Sequence, residues 1–258
     1  MPSPDASPAT PHDPLACVLV MPAYNEEGCI AAVVDEWADE LGRRFGGSYA
    51  IVVVNDGSRD RTGAMLDAVA ARQPRLRVIH QTNAGHGGAL LRGYREALAL
   101  GPGHVFQCDS DNQFLPDDFG LLWERRHDSA CILGFRSERH DALHRLVITR
   151  ILRLVLLACF GRYLRDSNIP FRLFHADFLR SALALIPPTT FAPNIFLAVV
   201  AARRGIPLLH LPVRHRDRAT GTVSIVRWKL IKICFRCVRE LAAFRRILAR
   251  AEAENRGN

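Results

Sequence analysis

The chain has 258 residues, of which 48% are hydrophobic and 23% charged, and its formal net charge is +8. This composition fits one large α/β domain or two small ones with a sizeable core, and it excludes a disordered chain, a disulfide scaffold and a polytopic membrane protein. The charge is concentrated between Arg214 and Arg250, where eleven basic residues stand against two acidic ones, so this segment suits nucleic acid, anionic lipid or a phosphorylated substrate.

Several features of the chain bear on its compartment. Residues 1–14 contain five prolines and no apolar stretch, which predicts a disordered leader and not a signal peptide. The seven scattered cysteines are typical of a reducing compartment. No uninterrupted apolar run reaches the roughly 18 residues that a spanning helix needs. We therefore expect a cytoplasmic protein that does not cross the membrane, although it can lie on one.

From Leu15 onward, apolar strands alternate with amphipathic helices. Strands are predicted at 15–21, 49–55, 77–80, 104–109, 130–135 and 206–213. Helices are predicted at 26–43, 60–72, 88–100 and near 116–126. This order predicts a single α/β domain over 15–223, Rossmann-like, with a mostly parallel central sheet flanked by helices. A basic amphipathic helix and tail follow at 224–258.

Polar residues follow four of the predicted strands, at 22–27, 55–58, 83–88 and 109–113. Each group taken alone is explained by turn chemistry, because Asn, Asp and Gly dominate turns. Open α/β sheets, however, bind ligands at the carboxyl ends of their strands. Four such groups in succession therefore favour one shared site at this edge of the sheet.

The sharpest of these groups is Asp109-Ser110-Asp111. Two carboxylates at one strand end can converge on a hard cation, Mg²⁺ or Mn²⁺, with Gln113 as a neutral ligand and a diphosphate leaving group as the partner. The alternative is an Asx-turn that caps the following helix. Asp56 is placed to accept hydrogen bonds from a base or ribose. His86, in the Gly-rich segment, suits either a phosphate contact or an ordinary exposed loop.

Seven spaced motifs together resemble the family-2 glycosyltransferases, which have the nucleotide-sugar-binding fold called GT-A. The most similar branch is that of the dolichyl- and polyprenyl-phosphate mannosyl- and glucosyltransferases. The motifs are PAYNEE (22–27), VVNDGSRDRT (53–62), NAGHGGALLRGYREAL (83–98), DSDNQFLPDDF (109–119), GFRSER (134–139), DSNIPFRLF (166–174) and VRHRDRATGTVS (213–224).

The resemblance implies roles for individual residues. The implied donor contacts are Pro22, Ala23, Tyr24, Glu26, Asp56, Asp109, Ser110 and Arg218. A divalent ion is implied on Asp109, Asp111 and Gln113, and Arg218 would hold the donor diphosphate, so Asp109, Asp111 and Arg218 are the implied catalytic residues. The implied acceptor-phosphate contacts are Arg136, Arg145, Thr149 and Arg150. For Arg145 and Arg150, an amphipathic helix with a soluble face is the alternative.

The resemblance implies an inverting transfer of a hexose from a GDP-mannose or UDP-glucose type donor to a polyprenyl or dolichyl phosphate at the inner face of the membrane. A saccharide or other non-lipid acceptor is the alternative. Asn55, His86, Asn194 and Ile225 depart from residues that are frequent in relatives, which leaves the donor open. A nucleotidyltransferase is disfavoured because PAYNEE is not its Gly-rich/Lys signature. Nucleic acid becomes the least favoured partner, and the basic segment suits an anionic membrane surface or, alternatively, packing on the domain.

Overall fold

A seven-stranded sheet organises the part of the chain that the computed structural model describes, residues 15–136, 169–216 and 239–250. The strands are β1 (Cys17–Ala23), β2 (Tyr49–Asp56), β3 (Leu76–Gln81), β4 (His104–Cys108), β5 (Cys131–Arg136), β6 (Phe171–His175) and β7 (Leu208–Val213). The helices are α1 (Ile30–Phe45), α2 (Thr62–Ala70), α3 (Gly85–Ala99), α4 (Phe119–Glu124), α5 (Ala176–Leu183), α6 (Pro193–Arg203) and α7 (239–250), with a 3₁₀ turn at Pro116–Asp118.

The strand order is β3-β2-β1-β4-β6-β5-β7. Strands β1 to β4 run parallel to one another, and β5 runs parallel to β7. Strand β6 lies antiparallel between β4 and β5. The predicted mixed α/β architecture with a mostly parallel sheet is therefore confirmed.

Strand β6 was not predicted, although the other six strands were. Its sequence, FRLFH, has a charged residue in the second position. Arg172 is nevertheless fully buried, and its Nε and Nη1 donate to the carbonyl oxygens of Ile169 and Asn194, at 2.5 and 3.0 Å. These partners offset part of the cost of burying a guanidinium group, which a reading of hydrophobicity alone cannot anticipate.

Strands β1, β2 and β4 read as nearly continuous apolar runs because helices cover both faces of the sheet. Trp37 of α1 packs against Phe106 of β4 with ring centroids 5.2 Å apart. Gly93 of α3 lies against β1, and a Cβ at this position would be only 2.5 Å from Cγ1 of Val20. The core thus brings α3 unusually close to the sheet.

Two predicted helix starts were wrong by three or four residues. Helix α1 begins at Ile30 and not at 26, and the backbone N–H groups of Glu26 and Glu27 donate to the side chains of Thr62, at the start of α2, and Asp60. Helix α3 begins at Gly85 and not at 88, so the Gly-rich segment forms its first turn.

Helix α7 lies inside the predicted basic tail and packs on the domain. Its Leu241, Phe244 and Leu248 are buried, and the Phe244 ring is 4.6 Å from that of Phe196 in α6. For these three residues the packing alternative holds. The remainder of the basic segment, 217–238, and the leader 1–14 lie outside the described residues. Within the described ranges, no helix has the length and apolar character to span a membrane.

Candidate active site

A cleft of about 300 Å³ opens at the carboxyl ends of β1, β2 and β4. The direction of strand succession reverses between β1 and β4, the position where open α/β sheets place their ligands. The lining residues are Pro22, Ala23, Tyr24, Glu26, Asp56, Asn83, Gly85, His86, Ala89, Asp109, Ser110 and Asp111. Residues from four separate motifs therefore meet in one cleft, as the strand-end argument predicts.

The cleft brings together most of the predicted donor-side residues. Those that line it are Pro22, Ala23, Tyr24, Glu26, Asp56, Asp109 and Ser110, together with the second predicted metal ligand, Asp111. Gln113 is not among the lining residues, and its Nε2 lies 3.4 Å from the carbonyl oxygen of Arg216. The role of Gln113 as a metal ligand stays a prediction.

The predicted acceptor-side residues are described only in part. The backbone of Arg136 ends β5, where it pairs with Val213 of β7. Arg145, Thr149 and Arg150 lie outside the described residues, as does Arg218, which was predicted on the donor side. Their roles stay predictions.

The loop after β1 is locked to the loop after β2. The N–H of Glu26 donates to Oγ1 of Thr62 at 2.8 Å, and the N–H of Glu27 donates to Oδ2 of Asp60 at 3.2 Å. Oγ1 of Thr62 in turn donates to Oδ1 of Asp60 at 2.6 Å. Burial by itself would raise the pKa of Asp60, but the hydrogen bonds from Thr62 and from the N–H of Glu27 lower it below its ordinary value. A charged Asp60 therefore holds the Glu26 edge of the cleft in place.

Asn25, which has a left-handed backbone (φ 55°), adds further hydrogen bonds between the loops after β1 and β2. The N–H of Asn25 donates to Oγ of Ser58 at 3.0 Å, and its Oδ1 accepts from the N–H of Arg59 at 2.8 Å. Asn is among the few non-glycine residues that adopt this conformation readily. The motifs PAYNEE and NDGSRDRT thus form one interlocked unit, which presents Tyr24 at the cleft with 43% of its surface exposed.

Asp56 is 3% exposed, and hydrogen bonds from neighbouring segments hold it in place. Its Oδ1 accepts from Nε2 of Gln81 and from the N–H of Ala84, both at 2.7 Å, and its carbonyl oxygen accepts from Nδ2 of Asn83 at 2.8 Å. No residue in the described ranges donates to its Oδ2. That oxygen is therefore available to a donor group of a ligand.

The Asp109–Asp111 turn is joined to β1 and bends sharply after Asp111. The hydroxyl of Ser110 donates to the carbonyl oxygen of Pro22 at 2.9 Å. Asn112 has φ 58°, and Oδ1 of Asp111 accepts from the N–H of Gln113 at 3.3 Å. This contact is the Asx geometry of the alternative interpretation, but it does not reach the 3₁₀ turn at Pro116–Asp118, which has no side-chain cap. Asp111 still lines the cleft.

The carboxylate oxygens in the cleft suit a divalent cation whose remaining coordination positions are filled by a ligand. Asp109 and Asp111 line the same cleft and offer hard carboxylate oxygens. In the described part of the chain, no three His, Cys, Asp or Glu side chains are grouped closely enough to enclose an ion by themselves. Mg²⁺ and Mn²⁺ suit such an open site, because one or two carboxylates plus phosphate and water oxygens complete their coordination.

The segment after Asp111 pairs with the beginning of the basic segment. Nη2 of Arg214 lies 2.7 Å from Oδ1 of the buried Asp118, and the N–H of Arg216 donates to the carbonyl oxygen of Gln113 at 2.8 Å. An isolated β-bridge joins Phe114 to His215 between them. Residue 216 is thereby fixed close behind the Asp109–Asp111 turn, two residues before Arg218.

The strand-end pattern placed residues 83–88 at the predicted site without a role for Asn83 or Gly85, left Ala89 out, and gave His86 two alternatives. All four line the cleft because the β3–α3 connection closes one side of it. Position at the carboxyl end of a third parallel strand is the signal that included residues 83–88, whereas Ala89 lies inside α3 and has no such signal. Helix α3 lies close to the segment before α6 at this point, since a Cβ on Gly87 would lie 2.4 Å from the carbonyl oxygen of Thr190.

Comparison with solved structures places the fold among known ones. Glucosyl-3-phosphoglycerate synthase from Mycobacterium tuberculosis, in complex with Mn²⁺, UDP-glucose and phosphoglyceric acid, matches with a TM-score of 0.61 and 21% identity, over 89% of this chain and 79% of that one. At this identity the likeness shows the fold, which is of the GT-A type.

Sequence comparison identifies closer relatives. The undecaprenyl-phosphate 4-deoxy-4-formamido-L-arabinose transferase of Pseudomonas aeruginosa is 30% identical over 223 residues, which cover 84% of this chain and 62% of the relative. The enzyme of the same name from Pectobacterium atrosepticum is 26% identical over 220 residues, covering 84% and 64%. The chain thus spans less than two thirds of the length of these curated relatives. Residues 18–177 match the family model described as Glycosyl transferase family 2, and the chain belongs to that family.

Proposed function

We propose that this chain transfers a hexose, with inversion, from a nucleoside-diphosphate sugar to a polyprenyl or dolichyl phosphate. The observation that carries the proposal is the cleft in which Asp109 and Asp111 lie with Asp56 and Tyr24 at the switch point of the sheet. The names of the undecaprenyl-phosphate sugar transferases to which the chain is similar support a lipid-phosphate acceptor.

The donor half of the proposal assigns the cleft residues to the nucleotide. Oδ2 of Asp56 accepts hydrogen bonds from the base or ribose, and the exposed ring of Tyr24 provides a flat contact. Asp109 and Asp111, with Gln113 as a third candidate, would hold the ion, and Arg218 would hold the diphosphate. A divalent ion, Mg²⁺ or Mn²⁺, supplies charge neutralisation for the departing diphosphate when it is bound. Whether the nucleotide is GDP or UDP is decided by the experiment below.

The acceptor half assigns Arg136, Arg145, Thr149 and Arg150 to the lipid phosphate. Guanidinium groups suit this task because they stay charged and form paired hydrogen bonds with phosphate oxygens. The phosphate oxygen is already anionic near neutral pH, so it forms its bond to the anomeric carbon as the bond to the diphosphate oxygen breaks. No proton has to be removed from the acceptor. The protein's task is then to position the reactants and to stabilise the leaving group.

A transfer assay tests this proposal. The protein is incubated with radiolabelled GDP-mannose, UDP-glucose or UDP-GlcNAc, with undecaprenyl or dolichyl phosphate, and with Mg²⁺ or Mn²⁺. We expect label to enter the organic phase with one nucleotide class, and EDTA to abolish this transfer. Label that appears only in water-soluble products would contradict the lipid acceptor and would favour a saccharide or other non-lipid acceptor.

Two isosteric variants make the assay specific. Asp109→Asn removes a charge from the cleft and should lower the transfer rate by about 100-fold or more, because the ion loses a carboxylate ligand. Asp117→Asn is the matched control, since Asp117 belongs to the next turn and its side chain is 71% exposed. Equal rates for both variants would contradict the assigned metal site.

The proposal also places the protein at the inner face of the membrane, through the basic segment between Arg214 and Arg250. Since Leu241, Phe244 and Leu248 of α7 are buried in the domain and Ile247 is exposed, membrane contact would fall to Ile247 and to the residues that precede α7. Anionic liposomes at low salt should pellet the protein, and neutral liposomes should not, because the attraction is electrostatic. A protein that stays in the supernatant with both would contradict the peripheral membrane assignment.

A further inference from the structure

A buried chain of hydrogen bonds ends on Asp109. The hydroxyl of Tyr94 in α3 donates to Oδ1 of Asn194 in α6 at 2.7 Å. Nδ2 of Asn194 donates to Oε1 of Gln107 in β4 at 3.1 Å, and Nε2 of Gln107 donates to Oδ1 of Asp109 at 3.2 Å. Tyr94 and Gln107 are fully buried and Asn194 is 2% exposed. This series of hydrogen bonds therefore runs through the core and reaches the cleft only at Asp109.

The carboxylate determines the direction of every bond in this chain. An ionised carboxylate only accepts hydrogen bonds, so Gln107 must present its NH₂ group to Asp109. The amide oxygen of Gln107 is then left to accept from Asn194, whose own oxygen is left to accept from Tyr94. Burial raises the pKa of Tyr94 well above its ordinary value, so its hydroxyl keeps the proton that it donates. Three donors thus point the same way, an arrangement in which each bond polarises the next.

The neutral amide at position 194 is essential to this polarity. A carboxylate at this position has no hydrogen to donate to Gln107. Arg172 holds the backbone of Asn194 in place through the 3.0 Å bond from Nη1 to its carbonyl oxygen. The amide side chain therefore starts from a fixed point at the first turn of α6.

We propose that Gln107, Asn194 and Tyr94 are positioning residues that hold the Asp109 carboxylate in the orientation required for the divalent ion. The proposal rests on the function proposed above, in which Asp109 is a metal ligand. Residues in this position act through the ligand and touch neither donor nor acceptor. Removal of such outer partners typically weakens metal affinity by about 10- to 100-fold.

Mn²⁺ titration followed by electron paramagnetic resonance tests this inference without any turnover. The dissociation constant for Mn²⁺ is measured in the presence of UDP and, separately, of GDP. Gln107→Met keeps the shape of the side chain and removes the bond to Asp109, and it should raise the dissociation constant by about 10-fold or more. Tyr94→Phe breaks the hydrogen-bond chain two bonds further from Asp109 and should raise the dissociation constant by about threefold. The double variant, Gln107→Met with Tyr94→Phe, should bind Mn²⁺ no more weakly than Gln107→Met alone. The reason is that Gln107→Met already breaks the hydrogen-bond chain to Asp109.

Tyr49→Phe is the matched control. Tyr49 is also a buried tyrosine, but its hydroxyl donates to the carbonyl oxygen of Ala38, away from the cleft. It should lose stability as Tyr94→Phe does and keep the Mn²⁺ affinity of the unmodified protein. Equal effects of the two tyrosine variants on Mn²⁺ binding would overturn the inference.

The remaining outcomes separate this inference from the proposed function. A folded Gln107→Met variant with unchanged Mn²⁺ affinity overturns the inference alone. If that variant does not fold, Tyr94→Phe decides by the same criterion. An unmodified protein that binds no Mn²⁺ with either nucleotide overturns the metal site of the proposed function and the inference together.

Discussion

The hydroxyl of Ser110 donates a 2.9 Å hydrogen bond to the carbonyl oxygen of Pro22, and this bond joins two motifs 88 residues apart. It lies in the interior, at the back of the cleft that both residues line. The turn proposed to bind the metal and the loop proposed to bind the nucleotide are therefore coupled in position. The position of one defines the position of the other.

Ser110→Ala removes this bond and leaves a buried carbonyl without its donor. We expect a loss of about 1 kcal/mol in the free energy of unfolding, and weaker binding of the nucleoside diphosphate. Urea titration and calorimetric titration with UDP and GDP measure the two effects. Ser181→Ala is the control, because the Ser181 hydroxyl donates within α5, to Phe178. Loss of nucleotide binding in the control would count against the specific role of Ser110.

Thr62→Val tests the lock between the first two loops. Valine keeps the shape but cannot accept from the N–H of Glu26 or donate to Asp60, so we expect a loss of about 1 to 2 kcal/mol in stability. Nucleotide affinity should fall as well, because Glu26 lines the cleft. Thr62→Ser retains the hydroxyl and should restore most of both quantities. Unchanged stability and nucleotide affinity in Thr62→Val would show that the two hydrogen bonds contribute nothing to the lock.

Gly87→Ala tests the close approach of α3 to the segment before α6. The added Cβ would lie 2.4 and 2.5 Å from the carbonyl oxygens of Thr190 and Phe191, which are backbone atoms and cannot rotate away. We expect a loss of about 2 kcal/mol or more in stability, in the range of overpacked sites. Gly42→Ala in α1 is the control, since its Cβ would have ordinary contacts at 3.6 Å. A tolerated Gly87→Ala would show that α3 moves freely.

His104 should make stability depend on pH. Burial lowers the pKa of this imidazole from its ordinary value near 6.5 to about 4, and the neighbouring charges of His175, Arg126 and His127 act in the same direction. Its Nε2 has no hydrogen-bond partner among the described residues. Because the folded pKa lies below the unfolded one, the stabilising contribution is complete above pH 6.5 and is lost as the pH falls toward 4.

His104→Phe removes this titration and keeps a ring against Trp123 and His175. Urea titrations from pH 7.5 to pH 4 should show a shallower decline in stability for the variant than for the unmodified protein. Parallel declines would mean that another group is responsible.

Much of the site could be predicted because parallel strands end at one edge of a sheet. Tyr24, Asp56 and Asp109 belong to polar groups that follow apolar strands, which predicts one shared site for them, and the sheet brings them together. Where prediction was incomplete, the reason is a contact distant in sequence. The position of Asn83 was predicted, but its contact with the carbonyl oxygen of Asp56, 27 residues away, was not. The start of α1 is displaced, and the residues before it donate to side chains beyond β2.

Local sequence is enough to predict the alternation of strands and helices, the sheet edge of the candidate site, and the carboxylates that meet there. Those features follow from local periodicity and from turn chemistry, which neighbouring residues encode. Packing in three dimensions is needed to see that β6 inserts antiparallel with a buried Arg172. The same holds for the hydrogen bonds from Tyr94 through Asn194 and Gln107 to Asp109. Tyr94 and Asn194 are 100 residues apart. No local pattern specifies which buried donor meets which acceptor, because that pairing is set by how α3, α6 and β4 pack together.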